Sequence, residues 1–167
     1  MHDLGIIVNS LAYTEEYRKV LGAAVQTGRP LDELEREMLG FTHCESGVIL
    51  AKTWQLPPAI AVVIEWHHDV EHGPSGNPLI AITHLGDLLC RLRGLGYGYE
   101  EWRAIDLAAD PAWAVLATHC PKLASIDLAR FTLDLDAYVV RITKLVDTIF
   151  APTSASTEPK KGSAEDN

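Results

Sequence analysis

Basic residues are scarce in this chain. Its 167 residues include 14 Lys and Arg against 23 Asp and Glu, a formal net charge of −9. A surface of that sign repels a phosphate backbone, so nucleic acid is not an expected partner. Long apolar runs are also missing. The longest, Ala59 to Ile64, falls far short of the roughly 18 residues a membrane span needs. Met1-His2-Asp3 lacks the basic start of a secretory signal, so the chain is expected to be cytoplasmic. Cysteine is sparse: Cys44, Cys90 and Cys120 form no C-x-x-C pair, which argues against a zinc knuckle and against a disulfide framework. Reduced, buried thiols are expected. There is no G-x-x-x-x-G-K-[ST] phosphate loop, and Gly94-Leu95-Gly96-Tyr97-Gly98 does not complete G-x-G-x-x-G and reads as a connector.

Sustained alternation of apolar and polar residues, the mark of a half-buried strand, is absent too. What is present is a 47% apolar composition, enough for one core, with apolar residues recurring at three- and four-residue spacings. The expected fold is all-α. The spacing and stop signals predict helices over Leu11–Val25, Leu31–Leu39, Thr42–Trp54, Pro58–Val70, Leu79–Leu92, Tyr99–Leu107, Pro111–His119, Lys122–Leu128 and Leu135–Phe150. Gly28 and Gly40 serve as stops, and Thr42-His43-Cys44-Glu45 fits a capping box. Tyr138, Ile142, Leu145 and Ile149 form a stripe on the last helix, expected to pack on the body. Trp54, Trp66, Trp102 and Trp113 are spread over different helices, which favours core packing over a ligand cage. Residues 151–167 have no large apolar side chain and read as a disordered tail.

Histidine and aspartate then stand out, because they occupy positions where helical spacing would place apolar residues or turns. His43 shares a stripe with Gly47, Leu50 and Trp54, so its imidazole points inward while Gly47 admits a neighbouring helix. His67 and His68 straddle the edge of the face marked by Ile60 and Ile64, about 100° apart on a helix, which would let them reach two neighbouring metal ions. Asp87 lies with Ile80, Thr83 and His84. Imidazole mixed with carboxylate suits Mn, Fe, Zn, Ni or Co better than Mg. Each residue alone also has a purely structural reading, as a core histidine, a helix terminus or a solvated carboxylate. Cys44 reads as a packed thiol, because it has no orienting base.

The string Glu35-Arg36-Glu37-Met38-Leu39-Gly40-Phe41-Thr42-His43-Cys44-Glu45-Ser46-Gly47, then Trp54-Gln55-Leu56-Pro57 and Ile64-Glu65-Trp66-His67-His68-Asp69, closely resembles the HDOD family of bacterial signalling proteins. His2-Asp3-Leu4-Gly5 looks like the H-D-[IL]-G signature of the wider HD superfamily of metal-dependent phosphohydrolases. The resemblance spans residues 1–93 and implies a single helical HD-like bundle, with 94–150 as a helical extension packed on it. It marks His2, Asp3, His43, His67, His68 and Asp87 as ligand positions for one or two divalent transition-metal ions. It also implies that a helical half normally ahead of the H-D pair is missing. No G-Y-P motif lies between His68 and Asp87, which disfavours cyclic di-GMP hydrolysis. Two functions follow from the resemblance: a non-catalytic signalling module with a protein partner or a second copy of itself, or a metal-dependent phosphohydrolase of a nucleotide or small phosphate ester. A structural fragment with polar core histidines is the third reading.

Overall fold

The computed structural model describes residues 1–102 and 106–150. Among these residues there are eight α-helices and no strand: α1 Leu4–Ala12, α2 Thr14–Thr27, α3 Leu31–Leu39, α4 His43–Thr53, α5 Pro58–Trp66, α6 Pro78–Leu92, α7 Pro111–His119 and α8 Leu128–Phe150, with a 3-10 turn at Pro121–Ser125. The all-α expectation is met. The chain divides into two compact units, Met1–Asp127 and the segment from Leu128 onward. No helix among the described residues is long and apolar enough to cross a membrane.

Local chemistry sets most boundaries of the first unit. Gly28 and Gly40 end α2 and α3 at φ +60° and +83°, a left-handed conformation that costs glycine little. Thr42 caps α4, and its backbone N–H donates to Glu45 Oε2 at 2.8 Å. Asn77 and Asp110 cap α6 and α7 through their side chains, each followed by proline in the first turn. Val20, Ala24, Leu31 and Leu34 form one buried cluster, with Ile6, Leu21 and Leu39 against it. Ala81, Leu85, Leu88 and Ala112 form a second.

Four boundaries differ from those predicted. The helix expected over Leu11–Val25 begins at Thr14, and α1, which was not expected, precedes it; between them Tyr13 leaves helical geometry at φ −129°, ψ 49° and its ring packs on Phe41 with centroids 5.3 Å apart. The α5 helix stops at Trp66 instead of Val70, because the His67 ring bonds the Ile64 carbonyl, Nδ1 to O 3.0 Å, diverting a group of the last turn. The helix predicted over Tyr99–Leu107 is not formed in its described part. Gly98 takes φ +87°, Tyr99 OH donates to the Arg29 carbonyl at 3.0 Å, and Trp102 N–H donates to the Gly28 carbonyl at 2.8 Å. Asp106 Oδ1 then accepts from the N–H groups of Ala108 and Ala109 in a turn. In place of the helix expected over Lys122–Leu128 stands the 3-10 turn Pro121–Ser125, and α8 starts seven residues early because nothing between Leu128 and Phe150 breaks a helix.

Some burial expectations also change. Cys44 is buried, but Cys90 and Cys120 are exposed. Trp54 and Trp102 are 61% and 73% exposed and so are not core residues. Within α8, Leu128–Phe150, no residue is buried. The tail at 151–167 lies outside the described residues.

The crossing of α1 over α4 is what delivers the amino terminus to the site. A Cβ on Gly5 would fall 1.8 Å from the His43 carbonyl oxygen, and one on Gly47 would fall 2.6 Å from Ile64 Cγ2. Gly5 must therefore be glycine for α1 to meet the α4 backbone, and Gly47 makes room for the Ile64 side chain of α5, in keeping with the expectation that it admits a neighbouring helix. Gly22 in α2 has nothing within 4 Å of such a Cβ. Gly5→Ala is expected to destabilise the first unit by about 1–3 kcal/mol or more, and Gly22→Ala to stabilise it by up to about 1 kcal/mol. Urea unfolding of both variants checks the contrast.

Candidate metal centre

The site is built outward from a buried carboxylate. On α3, Leu31, Leu34 and Glu35 share the buried face, so Glu35 sits fully enclosed at a position where helical spacing asks for an apolar residue. Four donors hold it. Oε2 accepts from the His43 backbone N–H at 2.8 Å and lies 2.6 Å from His43 Nδ1. Oε1 accepts from Tyr17 OH and, at 3.5 Å, from Asn9 Nδ2. A buried carboxylate is tolerable only when its acceptor sites are filled in this way. It also stands at the positive N-terminus of α4, which favours an anion.

Glu35 fixes the orientation of His43. With Nδ1–H donated to the carboxylate, Nε2 is the atom presented inward. His67 is oriented in the same sense by a different acceptor, since its Nδ1–H donates to the Ile64 carbonyl at 3.0 Å. The two Nε2 atoms converge on Asp3, whose Oδ1 lies 3.7 Å from His43 Nε2 and 3.3 Å from His67 Nε2. Asp3 Oδ2 lies 2.9 Å from His2 Nε2. His68 closes the group, its Nε2 3.0 Å from that of His43. Because α5 has already ended, the His67 and His68 rings do not diverge as on a helix: their centroids are 4.0 Å apart. His68 groups with His43, Cys44 and His67, whereas His2 and Asp3 group with His67 alone.

Electrostatics follow from the packing. Burial alone would lower His43, but Cys44 and the Glu35 carboxylate raise it to about 10. Burial likewise opposes the shift of His67, which Asp3 and Cys44 raise to about 9. Burial pulls His68 well below its ordinary value, helped by its cationic neighbours His67 and His43. Against the cost of burial, the neighbouring His2 and His67 rings hold Asp3 well below the usual carboxylate range.

Three buried polar atoms at this point, His2 Nε2, Asp3 Oδ1 and His67 Nε2, make no hydrogen bond of acceptable geometry. A native interior rarely leaves such atoms unpaired without an ion or water. Their ligand atoms lie within 4.8 Å of one another, as do those of His43, Cys44, His67 and His68. The residues therefore fit a transition-metal ion: several imidazoles and one carboxylate, with outer acceptors already in place.

Five of the six residues singled out in the sequence come together here: His2, Asp3, His43, His67 and His68. Asp87 does not join them. It pairs with Arg91, Oδ2 to Nε 3.2 Å, and Arg91 also pairs with Glu101. Other participants escaped the sequence reading. Glu35 was legible in principle as an acid on an apolar stripe. His84 bonds the His67 carbonyl through Nδ1 at 2.7 Å and pairs with Asp110 through Nε2 at 3.0 Å, which no spacing could reveal. A cavity of ≈ 170 Å³ opens beside His68, and the carboxylates of Asp32, Glu101, Asp106 and Asp110 line it together with His84 and Arg91.

A helical unit with a histidine and aspartate centre at a helix crossing is the class of protein defined here, and comparison with known proteins makes it specific. Residues 1–70 match the family model of the HDOD domain. A solved HDOD domain protein of unknown function from Geobacter sulfurreducens is similar at TM-score 0.77 and 28% identity, over 89% of this chain and 51% of that one. A protein of Treponema pallidum (strain Nichols), named only as uncharacterized, is 29% identical over 102 residues, which is 60% of this chain and 20% of its own length. The chain thus spans about half the length of the solved relative and a fifth of the curated one. The resemblance to the HDOD family is thus borne out over residues 1–70.

The raised histidines set a pH dependence. In chelator-treated protein the stability contributed by His43 and His67 is full below the ordinary 6.5, declines as pH rises, and is gone once pH passes about 10. Urea unfolding across that interval is expected to show the decline, and Glu35→Gln is expected to flatten its His43 component while costing about 1–3 kcal/mol at neutral pH.

Proposed function

We propose that the first unit is a non-catalytic HDOD signalling module that binds one divalent transition-metal ion through Asp3, His43, His67 and His68, with His2 beside them, and that acts by binding protein. The observation that carries this reading is the convergence of oriented imidazole nitrogens on Asp3 while Asp87, the one further carboxylate of the ligand pattern, is held by Arg91. One carboxylate among several imidazoles favours a single transition ion over Mg or Ca. When bound, such an ion supplies a cross-link between the amino terminus, α4 and the end of α5, and a Lewis acid at that point.

Hydrolysis of a phosphate ester is the less favoured reading. Among the described residues four carboxylates line the cavity beside His68, and the one guanidinium there, on Arg91, already faces Asp87 and Glu101. An incoming phosphate would meet repulsion from these carboxylates. The formal charge of −9 likewise suits a protein partner better than nucleic acid.

Protein purified without chelator or affinity-tag metal is expected to carry near-stoichiometric transition metal by elemental analysis. His43→Ala/His67→Ala is expected to lose it, Glu35→Gln to bind about 10–100-fold more weakly, and Asp87→Asn to retain it. No phosphatase activity is expected on generic phosphomonoesters. Metal retained by the His43→Ala/His67→Ala variant would refute the assigned ligands, and metal-dependent turnover lost in that variant would refute the non-catalytic reading.

A further inference from the structure

The α8 helix carries a regular pattern of apolar residues along its length. Its apolar residues Leu128, Phe131, Leu135, Tyr138, Ile142, Leu145 and Ile149 are spaced three, four, three, four, three and four apart. That is an unbroken seven-residue repeat of about three heptads, with one apolar residue at each seam position. The 23-residue helix is about 34 Å long. No glycine or proline interrupts it, and none of its residues is buried. Along the second half of the seam, Tyr138, Ile142, Leu145 and Ile149 are between 55% and 62% exposed. Propensity alone holds a helix of this length only marginally in water. A strict three-four seam is answered by another helix of the same spacing.

We propose that α8 is a dimerisation helix that pairs in antiparallel fashion with α8 of a second copy of this chain. The charges beside the seam select both the occupant and its direction. With Leu128, Leu135, Ile142 and Ile149 at a, and Phe131, Tyr138 and Leu145 at d, the e positions hold Thr132, Val139 and Val146. The g positions hold Asp134, Arg141 and Thr148. In a parallel pair each g residue faces an e residue, which sets Asp134 against Val139 of the partner subunit and Arg141 against Val146 of the partner subunit. Both charges are then wasted.

In an antiparallel pair g faces g. Asp134 then meets Arg141 of the partner subunit, and the two-fold axis repeats the contact in reverse. The opposite flank brings Val139 to Thr132 of the partner subunit, so one edge is charged and the other uncharged. The same register stacks Leu135 on Tyr138 of the partner subunit and Phe131 on Ile142 of the partner subunit. Asp134 makes a loose contact with Arg130 of its own helix, 3.9 Å, which leaves it free to reorient. Such a contact is isologous and closes as a dimer.

Light scattering and sedimentation of the full chain test this. Wild type is expected to show twice the mass of one chain at micromolar concentration. Ile142→Asp/Leu145→Asp is expected to be monomeric with unchanged thermal unfolding of the first unit. Asp134→Arg or Arg141→Asp alone is expected to weaken the dimer about tenfold, and the double reversal to restore it. In a Cys90→Ser/Cys120→Ser background, mixing Leu135→Cys chains with Tyr138→Cys chains is expected to give the mixed disulfide. A monomeric wild type, or a dimer indifferent to Ile142→Asp/Leu145→Asp, would overturn the pairing. A Leu135→Cys homodisulfide in place of the mixed one, or a double reversal that restores nothing, would overturn its direction.

Discussion

A single buried carboxylate organises the first unit. Glu35 lies inside α3's apolar face and gathers donors from α1, α2 and α4: Asn9, Tyr17 and both the backbone and ring of His43. Without those partners, enclosing it would cost several kcal/mol. With them it becomes a geometric constraint. It fixes the start of α4 against α3 and leaves His43 one orientation, with Nε2 toward Asp3.

The other half of the site comes from backbone proximity. Gly5 and Gly47 let α1 settle on α4 with no side chain between them, and that approach carries His2 and Asp3 to the imidazoles of His43 and His67. The Ile64 carbonyl performs for His67 what Glu35 performs for His43. Two unrelated acceptors, one a buried acid and one the last turn of a helix, thus aim two rings at one carboxylate. The shape of the site depends on helix packing as much as on the ligand residues themselves, which is the reason a glycine substitution that removes no ligand bears on it.

The sequence made the helices from α3 to α7 legible where stop and cap residues mark them: Gly28, Gly40, Thr42, Pro58, Asn77 and Asp110. It failed where tertiary contacts overrode local signals. The α1 helix is rich in β-branched residues and forms because its small Gly5 face meets α4. The segment near Tyr99 and Trp102 has helical spacing but is drawn out by hydrogen bonds to Gly28 and Arg29. Within the site, His2, Asp3, His43, His67 and His68 were readable as a pattern. Asp87 misled, since a carboxylate at the right point of the pattern had Arg91 one turn away at i+4. Glu35 could have been found from its place on the Leu31 and Leu34 stripe, whereas the bonds of His84 to the His67 carbonyl and Asp110 exist only in the folded chain. The seam of α8 was visible as a stripe, and its full three-four register became evident once the helix was seen to begin at Leu128.

Oriented imidazoles around one carboxylate define the centre. The most direct test is X-ray absorption of the protein loaded with a single equivalent of zinc or cobalt. It is expected to show a first shell dominated by nitrogen with imidazole multiple scattering, reduced by His43→Ala and unchanged by Asp87→Asn. A shell of oxygen alone, or one indifferent to His43, would contradict it.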